Sequence, residues 1–397
     1  MEPMEFLMSA GQVLTGPDGA RTPDGAVLVR GDRIVSTGPR SEVEPQASGE
    51  AVRIALPHGT LLPGLIDTHV HLCFDAGPDP VTSLREADDA GLLLAMADRA
   101  ARMLATGVTT VRDLGDRGGM ALRLREAVTS GAVSGPRILA AGAPLTVPGG
   151  HCWFLGGEVS GEEAIREAVR RNAKDGADVI KVMATGGGLT KDGPAIWEAQ
   201  FSAGELRAVV GEAHAHGLPV AAHAHGADGI AAAVAAGVDT VEHCTWMGRG
   251  SFDVREDVVA RIVERGIAVC PAASPGWRAF AERFGPERAE EMFSRVRWMH
   301  EQGVRLVSGT DAGVPGAVFD DLVSSLGFFV HLGLPPSRVI AMATADAADA
   351  IGVGDDTGHV LPGRRADLLL VDGDPYADLE ALRAVRMVMA GGRLVTR

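Results

Sequence analysis

The tripeptide His69-Val70-His71 follows the apolar run from Thr60 to Ile66, and four further ligand-type residues close later apolar runs. They are Lys181 in Val179-Ile180-Lys181-Val182-Met183, His223 in Val220-Ala221-Ala222-His223, His243 in Val241-Glu242-His243, and Asp311 in Val307-Ser308-Gly309-Thr310-Asp311. Two histidines one residue apart on a strand face the same side, so both imidazoles can converge on one ion. A single His-x-His is commonly incidental. Six ligand-type residues, each at the end of a strand-like segment, point instead to a metal site assembled at one end of a parallel barrel. Lys181 is the odd member, since an ammonium has no lone pair and repels a cation. It either pairs with a buried acid or has its pKa lowered by burial and nearby metal. In the second case the amine can take up CO2 as a carbamate, whose two oxygens can bridge two metals.

The elements that must position these residues are legible as alternating apolar runs and amphipathic segments. The runs are Leu62 to His69, Val108 to Arg112, Arg137 to Ala141, Val179 to Ala184, Pro219 to His223, Thr240 to His243, Ile267 to Pro271 and Arg305 to Ser308. Eight parallel strands close a (β/α)8 TIM barrel, whose chemistry sits at the C-terminal strand ends. Capping boxes are expected at Ser160-Gly161-Glu162-Glu163 and Ser202-Ala203-Gly204-Glu205. Gly107, Gly176, Gly217, Gly237, Gly266 and Gly303 each end a helical pattern just before a strand. Short β-like stretches flank this region: Gln12 to Leu14, Ala26 to Arg30, Arg33 to Thr37 and Val52 to Leu56 before it, and Gly363 to Val371 and Val385 to Val395 after it. The expected α/β architecture is a barrel over 63–355 with a small β-sandwich module built from both termini, 1–62 and 356–397.

The 397 residues suit one barrel with an accessory module. With 37 basic against 52 acidic residues and a net charge of −15, nucleic acid and anionic membrane are disfavoured partners. No membrane span and no basic, then apolar, leader is read from the sequence, so the expected location is cytoplasmic. The four cysteines, Cys73, Cys152, Cys244 and Cys270, lack Cys-x-x-Cys spacing and are expected as reduced, buried thiols. Self-association is left open.

Together, Pro63-Gly64-Leu65-Ile66-Asp67-Thr68-His69-Val70-His71, Ile180-Lys181-Val182-Met183-Ala184-Thr185-Gly186-Gly187, Ala222-His223-Ala224-His225-Gly226, Val241-Glu242-His243, Gly309-Thr310-Asp311-Ala312 and Leu361-Pro362-Gly363-Arg364-Arg365-Ala366-Asp367-Leu368 resemble the amidohydrolase superfamily. The likeness spans nearly the whole chain. It is greatest to the prolidase-like and imidazolonepropionase-related branch, with its Xaa-Pro dipeptidases and hydrolases of N-acyl amino acids. The resemblance implies that His69, His71 and Asp311 hold one divalent ion and His223 and His243 a second, with carboxylated Lys181 bridging them. Zinc is the expected metal, with manganese and cobalt compatible with the same ligands. It further implies that the nucleophile is a hydroxide shared by both metals and that Asp311 moves its proton to the leaving amine.

His151, in the loop Pro148-Gly149-Gly150-His151, resembles a substrate-contacting histidine of related dipeptidases. His225 should face the same side as His223, as a support for the ligands or as a pocket wall. Many relatives carry a tyrosine shortly after the sixth-strand histidine. Here the stretch is His243-Cys244-Thr245-Trp246-Met247, and Trp246 is expected to wall the substrate pocket in its place. Arg112-Asp113 are expected to brace the barrel mouth, and Gly186-Gly187-Gly188 to admit close backbone approach. The expected function is that of a dinuclear hydrolase of the amide bond in dipeptides or N-acyl amino acids, with a small-molecule substrate. The alternatives are a lactam, urea or carbamate hydrolase, a mononuclear deaminase of the same superfamily, and a non-catalytic barrel. Against the deaminase, Gly226 stands where that class needs a glutamate.

Overall fold

The fold is known from a computed structural model, which describes residues 4–16 and 20–395. The chain opens with β1 (Glu5–Leu14), β2 (Arg21–Arg30), β3 (Arg33–Pro39) and β4 (Val52–Pro63). Eight strands then alternate with helices: β5 (Leu65–Val70), β6 (Val108–Asp113), β7 (Arg137–Ala140), β8 (Ile180–Met183), β9 (Val220–Gly226), β10 (Thr240–Met247), β11 (Ala268–Cys270) and β12 (Arg305–Leu306). Finally β13 (Leu368–Asp372), β14 (Val385–Ala390) and β15 (Arg393–Leu394) rejoin the first group. The architecture is mixed α/β.

The terminal strands form one seven-stranded sheet in the order β15-β14-β13-β4-β1-β2-β3, where two facing sheets were expected. The reason is the length of β4. Its first part runs parallel to β1 from Val52 to Leu56, and its last part runs antiparallel to β13 from Gly59 to Pro63, so one strand joins both groups. Met8, Val27, Val29, Leu61, Leu368 and Met389 pack together on this sheet with almost no exposure.

The eight middle strands pair in parallel as β5-β6-β7 and as β8-β9-β10-β11-β12. They do not form one unbroken ladder. Isolated bridges hold the two seams, Leu145 with Val182 and Val70 with Ala312. At the second seam Thr68 N donates to Ser308 O (3.1 Å), Asp311 N to His69 O (2.9 Å) and His71 N to Ala312 O (2.8 Å). Regular pairing lapses there because the same backbone must turn ligand-type side chains inward.

Local signals account for most helix ends. Ser202 and Glu205 form the expected capping box on the helix Ala203–Ala215. Ser160 does not, because the helix Glu162–Lys174 takes Gly161 as its N-cap and leaves the serine one residue too early. The six helix-ending glycines all adopt left-handed φ, from 65° at Gly266 to 96° at Gly107. Among the described residues no helix is long and apolar enough to cross a membrane.

Candidate metal centre

The ligand-type side chains gather where β5, β8, β9, β10 and the turn after β12 end. His71, His151, Lys181, His223, His225, His243 and Asp311 line a cavity of about 700 Å³, within the range of small-molecule sites. His69 lies just beneath, 1% exposed. Its Nε2 is 3.4 Å from Asp311 Oδ1, and His71 Nε2 is 3.5 Å from the same oxygen. The His223 ring is 4.7 Å from both His225 and His243, and the last two stack at 4.4 Å.

Two groups of ligand atoms, each spanning no more than 4.8 Å, mark places where an ion fits: His69, His243 and Asp311 in one, His223, His225 and His243 in the other. Hydrogen bonds to neighbours prepare the imidazoles for this use. His69 Nδ1 contacts Glu242 Oε2 at 2.9 Å, and His71 Nδ1 contacts Gly115 O at 3.1 Å. Both rings therefore turn Nε2 toward the cavity. His223 is reversed: its Nε2 contacts Gly186 O at 3.0 Å, which leaves Nδ1 for an ion. A carbonyl only accepts, so Gly115 and Gly186 each set the ring tautomer. Burial pushes the pKa of His71, His223 and His243 well below normal, which keeps the rings neutral and able to ligate.

Lys181 is 1% exposed, and its Nζ has no hydrogen-bond partner. Burial lowers its pKa despite the opposing fields of Glu242 and Asp311. An unpaired buried amine beside neutral imidazoles fits a group that is modified or bound to something else. The residues present thus suit two divalent ions and a carbamate on Lys181.

Behind the ligands lies a buried polar frame. Arg112 Nη2 donates to Glu242 Oε1 (2.8 Å), Nη1 to Thr240 Oγ1 (3.2 Å), and Nε to Thr68 O (2.8 Å). Burial alone would raise the Glu242 pKa, but Arg112 and His69 outweigh it and hold the carboxyl well below the usual range. Asp67 accepts from His69 N, Thr310 N and Thr310 Oγ1, tying β5 to the turn that carries Asp311. Burial pushes its pKa up to about 7. Arg112 and Asp113 brace the strand ends; Asp113 accepts from Leu72 N and Gly115 N, which positions the carbonyl that holds His71.

His151 forms part of the wall, with its ring 4.6 Å from His223 and its pKa pushed down to about 3 by burial and the Lys181 charge. His225 Nδ1 contacts Thr245 Oγ1 at 3.0 Å, and its pKa also falls to about 3 for the same leading cause. Trp246 is the correction. Its side chain is 0% exposed and turned into the core, where Nε1 donates to Met299 Sδ at 3.3 Å. Burying about 200 Å² of indole at roughly 25 cal/mol/Å² stabilises by about 5 kcal/mol. One hydrogen bond to substrate returns about 1 kcal/mol, so the core wins. The four cysteines are free and buried.

Sequence reasoning missed Glu242, Cys152, Lys191 and Arg283, the last three of which line the cavity. Glu242 carried a signal, an acid inside an apolar run beside a ligand histidine. The other three lie in loops or helix ends that carry no periodicity.

An amidohydrolase family model matches residues 60–395. The chain belongs to that family and is a metal-dependent hydrolase acting on carbon–nitrogen bonds. It is 28% identical to ochratoxinase of Aspergillus niger, over 98% of this chain and 86% of that protein. It is also 28% identical to imidazolonepropionase of Symbiobacterium thermophilum, over 100% of this chain and 98% of that protein. Among solved structures, a Xaa-Pro dipeptidase with methionine bound in its active site superposes with a TM-score of 0.86 at 31% identity, covering 98% of this chain and 99% of that one.

Proposed function

We propose that this protein hydrolyses the amide bond of dipeptides or N-acyl amino acids with two divalent ions, zinc by preference, held at the cavity floor. The observation that carries this reading is the partnerless Lys181 Nζ, which lines one cavity with the candidate ligands His71, His223, His243 and Asp311. The resemblance to a Xaa-Pro dipeptidase with an amino acid in its active site supports the substrate class. In this reading the eight parallel strands act as one closed barrel over 63–355, and the terminal segments form a separate module.

When bound, the ions lower the pKa of a water and polarise the scissile carbonyl. The chain supplies the rest. The Lys181 amine would take up CO2, forming an N–C bond and releasing a proton, and the carbamate would serve as a further ligand for the ions. Asp311, 3.4 and 3.5 Å from His69 and His71, is placed to take the proton of the attacking water and pass it to the leaving nitrogen as the C–N bond breaks. Burial raises its pKa, which makes the carboxylate a stronger base. His151, neutral and at the wall, can donate a hydrogen bond to the substrate carbonyl as it becomes an oxyanion.

The test is amino acid release from a library of dipeptides and N-acyl amino acids by zinc-loaded protein with bicarbonate present. Selective release by wild type, and loss of at least 100-fold in Asp311→Asn, is the expected result. Silence across the library with metal bound would overturn the substrate class and pass the assignment to a lactam, urea or carbamate.

A further inference from the structure

The cavity has a charge pattern that its metal-binding floor does not explain. Among the described residues Asp311 is the only acid in its lining, whereas Lys191 and Arg283 both border it. Lys191 belongs to the loop between β8 and the helix Ala203–Ala215, and Arg283 to the helix Trp277–Phe284 that follows β11. Both residues are exposed. Two cations brought from separate elements to one mouth, in a chain of net charge −15, run against the overall field of the molecule. Leu189, Val314 and Pro315 give the same cavity apolar wall.

We infer that Lys191 and Arg283 form a carboxylate subsite that fixes the free acid end of the substrate, with the adjoining apolar wall taking its side chain. This rests on the hydrolase reading above and narrows it to substrates with a free α-carboxylate beside an apolar group. A guanidinium can grip both oxygens of a planar carboxylate, while an ammonium acts as a point charge. Lys191 also acts on the exposed Asp79 carboxylate, so its charge is shared between rim and cavity. The guanidinium of Arg283, with its fixed fork of donors, carries the directional part of the contact.

The probes are N-acetyl-L-leucine and N-acetyl-L-leucinamide, which differ only in the charge at that end. Acetate release by metal-loaded protein should favour the acid over the amide by at least tenfold in kcat/KM. Arg283→Gln should reduce that ratio about tenfold, Lys191→Gln less, and Arg283→Lys should recover part of the loss, with the change falling on KM. An unchanged ratio in the double Gln variant would overturn the subsite and assign the carboxylate to the metals. Should neither probe turn over, the hydrolase reading fails for this class and equilibrium dialysis decides the subsite. Tenfold tighter binding of the acid by wild type, abolished in the double variant, supports it; equal binding of both probes overturns it.

Discussion

An ammonium with no partner in a water-poor site is among the costliest groups a protein can bury, and Lys181 shows how that cost is escaped. Burial lowers the pKa of the amine, and the unprotonated form of an amine is a nucleophile toward CO2. In the proposed reading, a carbamate on Lys181 would supply the anion that two cations require. This gives a residue-scale expectation: Lys181→Ala should fall from two tightly held ions per chain to one, read by elemental analysis after desalting. The ion that remains is held by imidazoles and Asp311, whose ligand atoms already converge without the lysine. Two ions retained in the variant would show that the carbamate is not the bridge. Glu242 acts through another group: it orients His69 and is itself held charged by Arg112.

At the scale of elements, the strand ends do what a regular strand cannot. Period-two alternation should send Glu242 and His243 to opposite faces, yet Glu242 reaches His69 and His243 reaches the cavity. The φ angles of +68° at His243, +51° at Cys244 and +58° at Trp246 break the alternation, as does the register shift between His243 and Met247. Asp311, at φ +57°, turns inward in the same way. Such left-handed conformations cost about 1–3 kcal/mol each and persist where the surroundings enforce them, which is common at functional sites. The seam between β12 and β5 is as tight. A Cβ on Gly309 would stand 2.5 Å from Cys270 Sγ and 2.8 Å from His69 Cβ. Gly309→Ala should therefore cost about 1–3 kcal/mol and shift His69. Chelator competition should show metal held at least tenfold more weakly, though no ligand has changed. Normal metal affinity together with a normal melting temperature would disprove this account of the seam. Gly187 plays a similar part, since a Cβ there would meet the His151 ring at 2.4 Å.

At the scale of the molecule, Asp356 clamps the terminal sheet to the parallel strands. Its carboxylate accepts from Arg33 of β3 at 2.5 Å and from Arg137 of β7 at 2.7 Å. Burial alone would raise its pKa, but the two arginines outweigh that and lower it. Because the folded-state value lies below the unfolded one near 3.9, the stabilisation is fully present above that pH. It is lost as pH falls through the folded-state value. All three side chains are partly exposed, so screening limits the contribution to about 1 kcal/mol. Asp356→Asn should lower the melting temperature by about 1–2 °C at pH 7. The difference from wild type should shrink once the pH drops below about 4, and a gap that stayed constant with pH would exclude the ionic clamp.

Much of this was readable from local patterns, because strand ends, helix caps and His-x-His faces depend on residues a few positions apart. The eight runs, the Ser202 capping box and the glycine helix ends follow from chain stereochemistry that each segment carries with it. His69, His71, Lys181, His223, His243 and Asp311 were recognisable as one set because parallel strands deliver their ends to a common face. What depended on the tertiary structure was set by neighbours remote in sequence. The inward turn of His243 and Asp311, the role of Glu242, the withdrawal of Trp246 and the arrival of Lys191 and Arg283 at one cavity all belong to this group. The long β4 likewise joined the terminal strands into one sheet through partners at both ends of the chain. A side chain's periodicity says which face it leaves from, but its energy depends on what it meets there, and only the folded chain brings those groups together.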